Sequence, residues 1–532
     1  MANYGFINKD VPQSKPIMGK DMVKNLAGGY AFKAEDFNAL DRWLLTGSFS
    51  NMFYQTKEDA TEQNVDILNG CIKQDPVRTA SRIMYASDHG LSNSTPLLAL
   101  AFLSASENMQ AKKEFTNLFN KVVRTASQLY EFLEYVKGIR GFGKIIHKNV
   151  SNWITGNKNL EYQFLKYQSR NGWEHKDVLR KFHVTPKDEY MNAIFHWAVK
   201  GYDEKVSNIL KIVPYFEAVK QADSEKEVIT AIRDGKLSWE MVVGNCQKMT
   251  TKIWEELFFT MPMTATIRYL ATLTANGVLA NKNNVDMLEG RLLNDEMLTR
   301  ARIHPIQFCK ALSIYQTGGE GSEHSKLTYE PVRRVIDILN AGIEKAGEHL
   351  EPTGKDIFIS MDVSGSMWGG YGVGSIYGNL VPAQIAGIIA LSIVKAEKNY
   401  TVGMFDTQFK IAEIDKGLSF GRMMDRNNGI WPTRFGGTDA SLAYEHAIKE
   451  KKIVDTFISI TDNESWAGKR HPSVAFKDYQ KKINNNAKAI YITLKPTGDR
   501  ITLADPYSNQ SFDIAGFSDQ TVKLVQMIVK DF

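Results

Sequence analysis

Two textures follow one another along this chain. Residues 192–199, 205–220, 224–233 and 331–345 carry apolar positions at three- and four-residue spacing, the pattern of helices with one buried face. Loop signals such as Asn171-Gly172 and Asn276-Gly277 interrupt the helical pattern, and strand-like alternation is scarce. Beyond Glu351-Pro352-Thr353-Gly354 four apolar, β-rich runs appear, at 356–362, 400–405, 454–461 and 488–494, with helical stretches at 383–398 and 440–451 between them. Many short helices without a dominant sheet predict stacked antiparallel pairs, an α-solenoid whose core forms between neighbours. Strand alternating with helix predicts a parallel sheet covered on both faces, with ligands at the carboxyl ends of the strands. The expected fold class is therefore α followed by α/β: an arm over 1–20, a helical region over 21–352, and a doubly wound domain over 353–532. No crisp repeat period marks the helical part.

Length agrees, since 532 residues exceed what one core usually holds. Hydrophobic residues at 43% and charged residues at 23% are ordinary globular values. Cys71, Cys246 and Cys309 are far apart and lack metal-ligand spacing, which argues against a disulfide framework and suits a reducing cytosol. The start, Met-Ala-Asn-Tyr-Gly-Phe, has no basic region followed by an apolar core. No run reaches the roughly 18 apolar residues of a membrane span. The expectation is a soluble, cytoplasmic chain.

The net charge of +5 becomes informative when mapped. Residues 111–183 hold 14 Lys/Arg against 6 Asp/Glu, whereas 201–300 hold 12 against 14. A local surplus of that kind fits an anionic polymer or a solvated helix face. Lys166 and Arg170 are four apart, a spacing that predicts one shared helix face able to follow adjacent phosphates. Arg180 and Lys181 begin a second cluster close to His183, and Asn171-Gly172 reads as a turn joining two helices. Lys144, His147 and Lys148 extend the basic patch upstream. Tyr162, Phe164, Tyr167, Trp173 and Phe182 are interleaved with these residues. Aromatic faces of this kind stack unpaired bases or simply fill a core.

One stretch carries different chemistry. Asp356-Ile-Phe-Ile-Ser-Met-Asp362-Val-Ser364-Gly-Ser366 is an apolar run ending in an acid, with two hydroxyls at alternate positions. Alternation along an extended segment lets Asp362, Ser364 and Ser366 point the same way, and converging oxygens suit a hard divalent cation such as Mg²⁺. Thr438 lies in Gly436-Gly437-Thr438-Asp439, and Asp462 closes the run Phe457-Ile-Ser-Ile-Thr461-Asp462. Asp-x-Ser-x-Ser, then Thr, then Asp resembles the metal-ion-dependent adhesion site of von Willebrand factor A domains, with one Mg²⁺ implied per chain.

The resemblance extends upstream. Lys166-Tyr-Gln-Ser-Arg170-Asn-Gly-Trp173-Glu-His175-Lys-Asp-Val-Leu-Arg180-Lys-Phe-His183, Met261-Pro-Met-Thr-Ala-Thr-Ile-Arg268 and Ala301-Arg-Ile-His-Pro305 are similar to the TROVE module of the Ro autoantigen family. Thr461-Asp462-Asn-Glu464, Ala504-Asp-Pro506 and Gly516-Phe517 match the same family further on. The resemblance implies a ring of HEAT-like helical repeats followed by an A domain, with small non-coding Y RNA bound on the outer surface. It also implies that single-stranded 3′ ends of misfolded RNA thread the hole, in RNA quality control or decay. Lys166, Arg170 and His183 fall on positions that the family uses for Y RNA. A partner such as an exoribonuclease, or another docking protein, would meet the A domain.

Other readings have less support. Gly369-Gly-Tyr-Gly372-Val-Gly374 neither follows a strand directly nor opens a tight strand–helix turn, so it reads as a flexible loop beside the metal site. Ser364 and Ser366 lack a nucleophile-elbow setting, and the ten histidines include no H-E-x-x-H pair. The expectation is a binding protein without chemistry of its own. The runner-up is a metal-dependent adaptor whose A domain recruits a partner while RNA is secondary. A third reading, a nuclease using Asp362 and Asp462, asks one metal with mostly neutral ligands to do phosphoryl transfer, which usually takes more carboxylates.

Overall fold

The structure, a computed structural model, describes residues 11–46, 57–90, 92–301, 303, 305–319, 327–347, 352–368, 380–427, 429–432, 436–494, 501–515 and 519–531. Residues 11–20 form turns without helix or strand. A short antiparallel hairpin follows, β1 (Met22–Lys24) and β2 (Tyr30–Lys33). Helices then run from Asp36–Thr46 to Arg333–Gly347, interrupted among the described residues by one hairpin of two-residue strands, β3 (Ser169–Arg170) and β4 (Trp173–Glu174).

The helices start where their sequences provide caps. Asp75 accepts from the N–H groups of Val77 and Arg78, with Pro76 at the first helical position. Thr125 and Gln128 close a reciprocal capping box. The predicted helix over 205–220 is instead two, Glu204–Ser207 and Val213–Gln221. Pro214, which has no N–H and cannot sit inside a helix, opens the second piece.

The helices pack mainly on their sequence neighbours, as a solenoid must. Both ends of the array rest on the C-terminal domain. At one end Asp36–Thr46 packs on its last strand, and Arg42, 1% exposed, pairs with Asp513 and donates to the Ile501 carbonyl at 2.9 Å. At the other end Arg333–Gly347 packs on Phe420–Met424, where Glu344 accepts the Phe420 N–H at 2.9 Å and pairs with Lys395 at 2.7 Å. The array therefore closes on itself through this domain.

Among the described residues the C-terminal sheet has six strands: β5 (Asp356–Asp362), β6 (Asn399–Phe405), β7 (Phe409–Ile411), β8 (Thr456–Thr461), β9 (Lys488–Thr493) and β11 (Ser511–Ala515), in the order β11-β9-β8-β5-β6-β7. All neighbours are parallel except the hairpin partner β7. Alternate residues serve opposite faces. Ile357, Ile359, Ile458 and Ile460 join the cluster shared with Pro382–Ala396 and with the helical array. Phe358, Phe457 and Tyr491 join the other cluster, with Tyr444, Phe476 and Tyr479. The remaining strand, β10 (Ile501–Thr502), pairs with β2, so the N-terminal hairpin is sheet-paired to the C-terminal domain. Cys71, Cys246 and Cys309 are free thiols. Among the described residues no helix is long and apolar enough to cross a membrane. The glycine-rich stretch 369–374 lies outside the described residues.

Candidate nucleic-acid interface and metal centre

The chain leaves β5 for β6 on one side and later returns to β8 on the other. Strand order reverses between β5 and β8, where doubly wound sheets open a crevice at their carboxyl ends. The register pairs Met361 with Ile460, which sets Asp362 beside Thr461. The Thr461 hydroxyl donates to Asp362 Oδ2 at 2.7 Å, and the Ser364 N–H donates to Oδ1 at 2.9 Å. The Ser364 and Ser366 hydroxyls lie 3.3 Å apart. Asp462 follows β8 directly and accepts the Glu464 N–H at 3.0 Å. Thr438 is buried, and its carbonyl accepts the N–H groups of Trp466 and Ala467, both at 3.0 Å, so its loop is tied to the one carrying Asp462.

Asp362 is fully buried. Burial first, and then the neighbouring Asp462 charge, push its carboxyl above the ordinary carboxylate range. Among the described residues no basic side chain pairs with either acid, and no cluster of three His, Cys, Asp or Glu forms anywhere. Two acids without a counter-charge, surrounded by hydroxyls, are a donor set that fits one hard divalent cation.

The basic residues sit on the helical array. Lys144 and Lys148 are exposed on the helix Lys144–Gly156, and His147 between them is half-buried, with its imidazole 4.9 Å from the Phe182 ring. Arg180 and Lys181 are exposed in the last turn of His175–Phe182. His183 caps that helix in the left-handed region, φ 49°, and is exposed. Phe142 joins the two helices: it meets Phe182 at 5.3 Å and Trp173 at 5.7 Å, and the Lys181 ammonium lies 5.6 Å from its ring. Lys144, His147, Lys148, Arg180, Lys181 and His183 therefore share one surface seated on an aromatic underlayer.

Lys166 and Arg170 do not share a helix face. The helix ends at Lys166, Tyr167 leaves helical geometry, and Arg170 is exposed on β3. Asn171 and Gly172, both at positive φ (51° and 77°), make the tight hairpin turn between β3 and β4 rather than a link between helices. Arg170 pairs in register with Trp173, whose indole packs on Phe142, so Arg170 borders the basic surface. The Lys166 ammonium is held by Glu240 at 3.0 Å and is one-fifth exposed. Of the interleaved aromatics, Phe164 and Phe182 are buried in the core, and Tyr162, Tyr167 and Trp173 are half-buried. Phe164 stacks on His175 at 3.7 Å; burial pulls that imidazole down to about 4, so it is a neutral core residue.

A profile of the TROVE domain matches residues 105–335, and one of the Ro60 vWA domain matches residues 356–529. The chain belongs to the Ro60 family. Two Ro60 relatives, each named "RNA-binding protein RO60", come from Deinococcus radiodurans and Caenorhabditis elegans. The first is 28% identical over 504 residues, covering 93% of either chain. The second is 26% identical over 607 aligned residues, covering 98% of this chain and 92% of the relative. The crystal structure of the Deinococcus radiodurans RO (RSR) protein superposes with a TM-score of 0.73 at 26% identity, covering 93% of this chain and 99% of that one. The Ro60 arrangement, a mostly helical N-terminal region followed by a vWA domain with a mixed, mostly parallel sheet, is the one built here.

Sequence reading missed several residues that shape these sites. Thr461 orients Asp362, yet a threonine inside an apolar strand looks like β-propensity alone. Phe142 underlies the basic surface, yet a lone phenylalanine between Gly141 and Gly143 carries no signal of that role in the sequence. Glu240, which engages Lys166, is 74 positions away, and no local signal pairs them.

Proposed function

We propose that the chain is the RNA-binding protein of a Ro-type ribonucleoprotein. It holds small non-coding Y RNA on the outer surface of the helical array and takes single-stranded ends of misfolded RNA through the ring, in RNA quality control. The observation that carries this reading is the surface of Lys144, Lys148, Arg180, Lys181 and His183 on two adjoining helices, with Arg170 at its border. Exposed cations on a fixed aromatic base follow a phosphate backbone and read little sequence. The relatives' name supports the same reading.

The A domain supplies a second binding site. Asp362, Ser364, Ser366, Thr438 and Asp462 would hold one Mg²⁺, which neutralises the two acids and leaves a coordination position for a carboxylate of a docking protein. Trp466, 42% exposed on the loop that follows Asp462, gives such a partner an aromatic contact. That favours docking at this site as a further role of the same protein, with an exoribonuclease as one candidate partner. Two carboxylates among neutral donors are poor equipment for a nuclease. Crosslinking in cells followed by sequencing of the bound RNA tests the reading: one or a few small structured RNAs should dominate, and recovery at background level would refute it.

A further inference from the structure

We propose that the N-terminal arm, residues 11–33, is a built-in part of the metal site, in which Gln13 and Asn25 are positioning residues for Asp462 and Thr438. The proposal rests on the metal reading above and concerns the chain's own outer support around the divalent cation.

Asp462 and Thr438 lie on loops, 462–468 and 436–439, that carry no helix or strand. A loop of that kind keeps one shape only if something outside it satisfies its polar groups. Here the arm does so. Gln13 is fully buried. Its Nε2 donates to Asp439 Oδ1 at 2.7 Å and to the Arg470 carbonyl at 2.9 Å, while its Oε1 accepts from Ser465 Oγ at 2.6 Å. Its backbone N–H donates to the Gly468 carbonyl at 3.0 Å. One side chain thus bonds both the residue after Thr438 and the loop after Asp462. Ser465 Oγ in turn lies 3.2 Å from the Thr438 carbonyl and accepts the Ala440 N–H at 3.1 Å.

The β1–β2 turn adds a second clamp. Asn25, 5% exposed, donates from Nδ2 to the Ser465 carbonyl at 2.8 Å and accepts the Gly29 N–H at 2.7 Å. The Ala27 N–H donates to Glu464 Oε2 at 3.0 Å. The approach is close enough that a β-carbon at Gly29 would collide with the Ser465 carbonyl oxygen, and one at Gly468 with the Gln13 amide. Arm and ligand loops are therefore fitted as one buried polar network, in which each lost partner leaves another group unsatisfied.

Partners bonded directly to a metal ligand change metal affinity about 10- to 100-fold when removed. Gln13 and Asn25 act one bond further out, through Asp439 and Ser465, so the loss expected here is the lower end, about 10-fold. The test titrates Mn²⁺ into full-length protein by calorimetry, with the thermal midpoint of each metal-free variant measured alongside. Gln13→Ala and Asn25→Ala should each weaken Mn²⁺ binding by about that factor. Ile17→Ala, a buried apolar position in the same arm, should lower the midpoint and leave Mn²⁺ affinity at the wild-type value. If Gln13→Ala fails to fold, Asn25→Ala decides. Wild-type affinity in the two polar variants overturns the proposal and leaves the metal reading standing. Equal weakening in all three marks general loosening of the arm and overturns the assignment to Gln13 and Asn25. A wild-type protein that takes up no Mn²⁺ refutes the metal reading and the proposal together.

Discussion

Replacing Lys144, Lys148, Arg180 and Lys181 together by alanine should change how RNA affinity responds to salt. All four are exposed and lie on the two helices joined by Phe142 and Phe182, so each is free to neutralise one phosphate. At about 0.9 per phosphate on a duplex, four contacts contribute roughly 3.6 to the slope of log affinity against log salt. Raising salt fourfold, from about 50 to about 200 mM, would then cost the wild type about 150-fold in affinity through these four alone, or about 50-fold if the contacted RNA is single-stranded. The quadruple variant should bind more weakly at low salt and lack that part of the dependence. Filter binding of a labelled small structured RNA across a salt series reads both quantities. Lys166→Ala is the internal comparison: its ammonium is already held by Glu240, so its loss should flatten the slope by well under the roughly 0.9 of a full phosphate contact. A quadruple variant with the wild-type slope refutes the placement of RNA on this surface.

Two further predictions concern the scaffold. Burial holds His175 and His471 neutral, with pKa values pulled down to about 4 from 6.5. The unfolded chain therefore binds these protons first as pH falls. Stability should be intact above about 6.5 and fall toward pH 4, by roughly 3 kcal/mol for each histidine. Urea unfolding at several pH values checks this, and a His175→Gln, His471→Gln variant that keeps the full wild-type slope contradicts it. Arg42→Ala leaves Asp513, 7% exposed, without its buried partner where the array meets the sheet. It should cost about 3–5 kcal/mol in chemical unfolding, and a loss below about 1 kcal/mol, typical of surface pairs, contradicts a buried junction.

What was legible in the sequence was local. Asp362 could be read because an apolar run ending in an acid marks the end of a strand. The hydroxyls do not follow by alternation: the strand stops at Asp362, and Ser366 comes within 3.3 Å of Ser364 from the helix Gly365–Trp368. The helix–strand alternation likewise needed no long-range information. Lys166 and Arg170 failed as a pair because four-residue spacing implies one face only while the helix continues, and it ends at Lys166. The run at 205–220 kept its apolar period across Pro214, where the backbone cannot. The N-terminal hairpin stayed hidden for a different reason: β2 finds its partner at Ile501–Thr502, and three or four residues of strand have no period to detect. The polar network around Gln13 is equally non-local, since its partners at Asp439, Ser465 and Arg470 lie more than 400 positions away.

Ultraviolet crosslinking of full-length protein to bound RNA, with the crosslinked peptides mapped by mass spectrometry, tests the central claim most directly. Crosslinks should concentrate between residues 142 and 183, at Phe142, His147, Trp173 and His183 among the exposed and half-buried aromatic side chains of that surface. Crosslinks confined to the A domain, residues 356–529, would contradict the account.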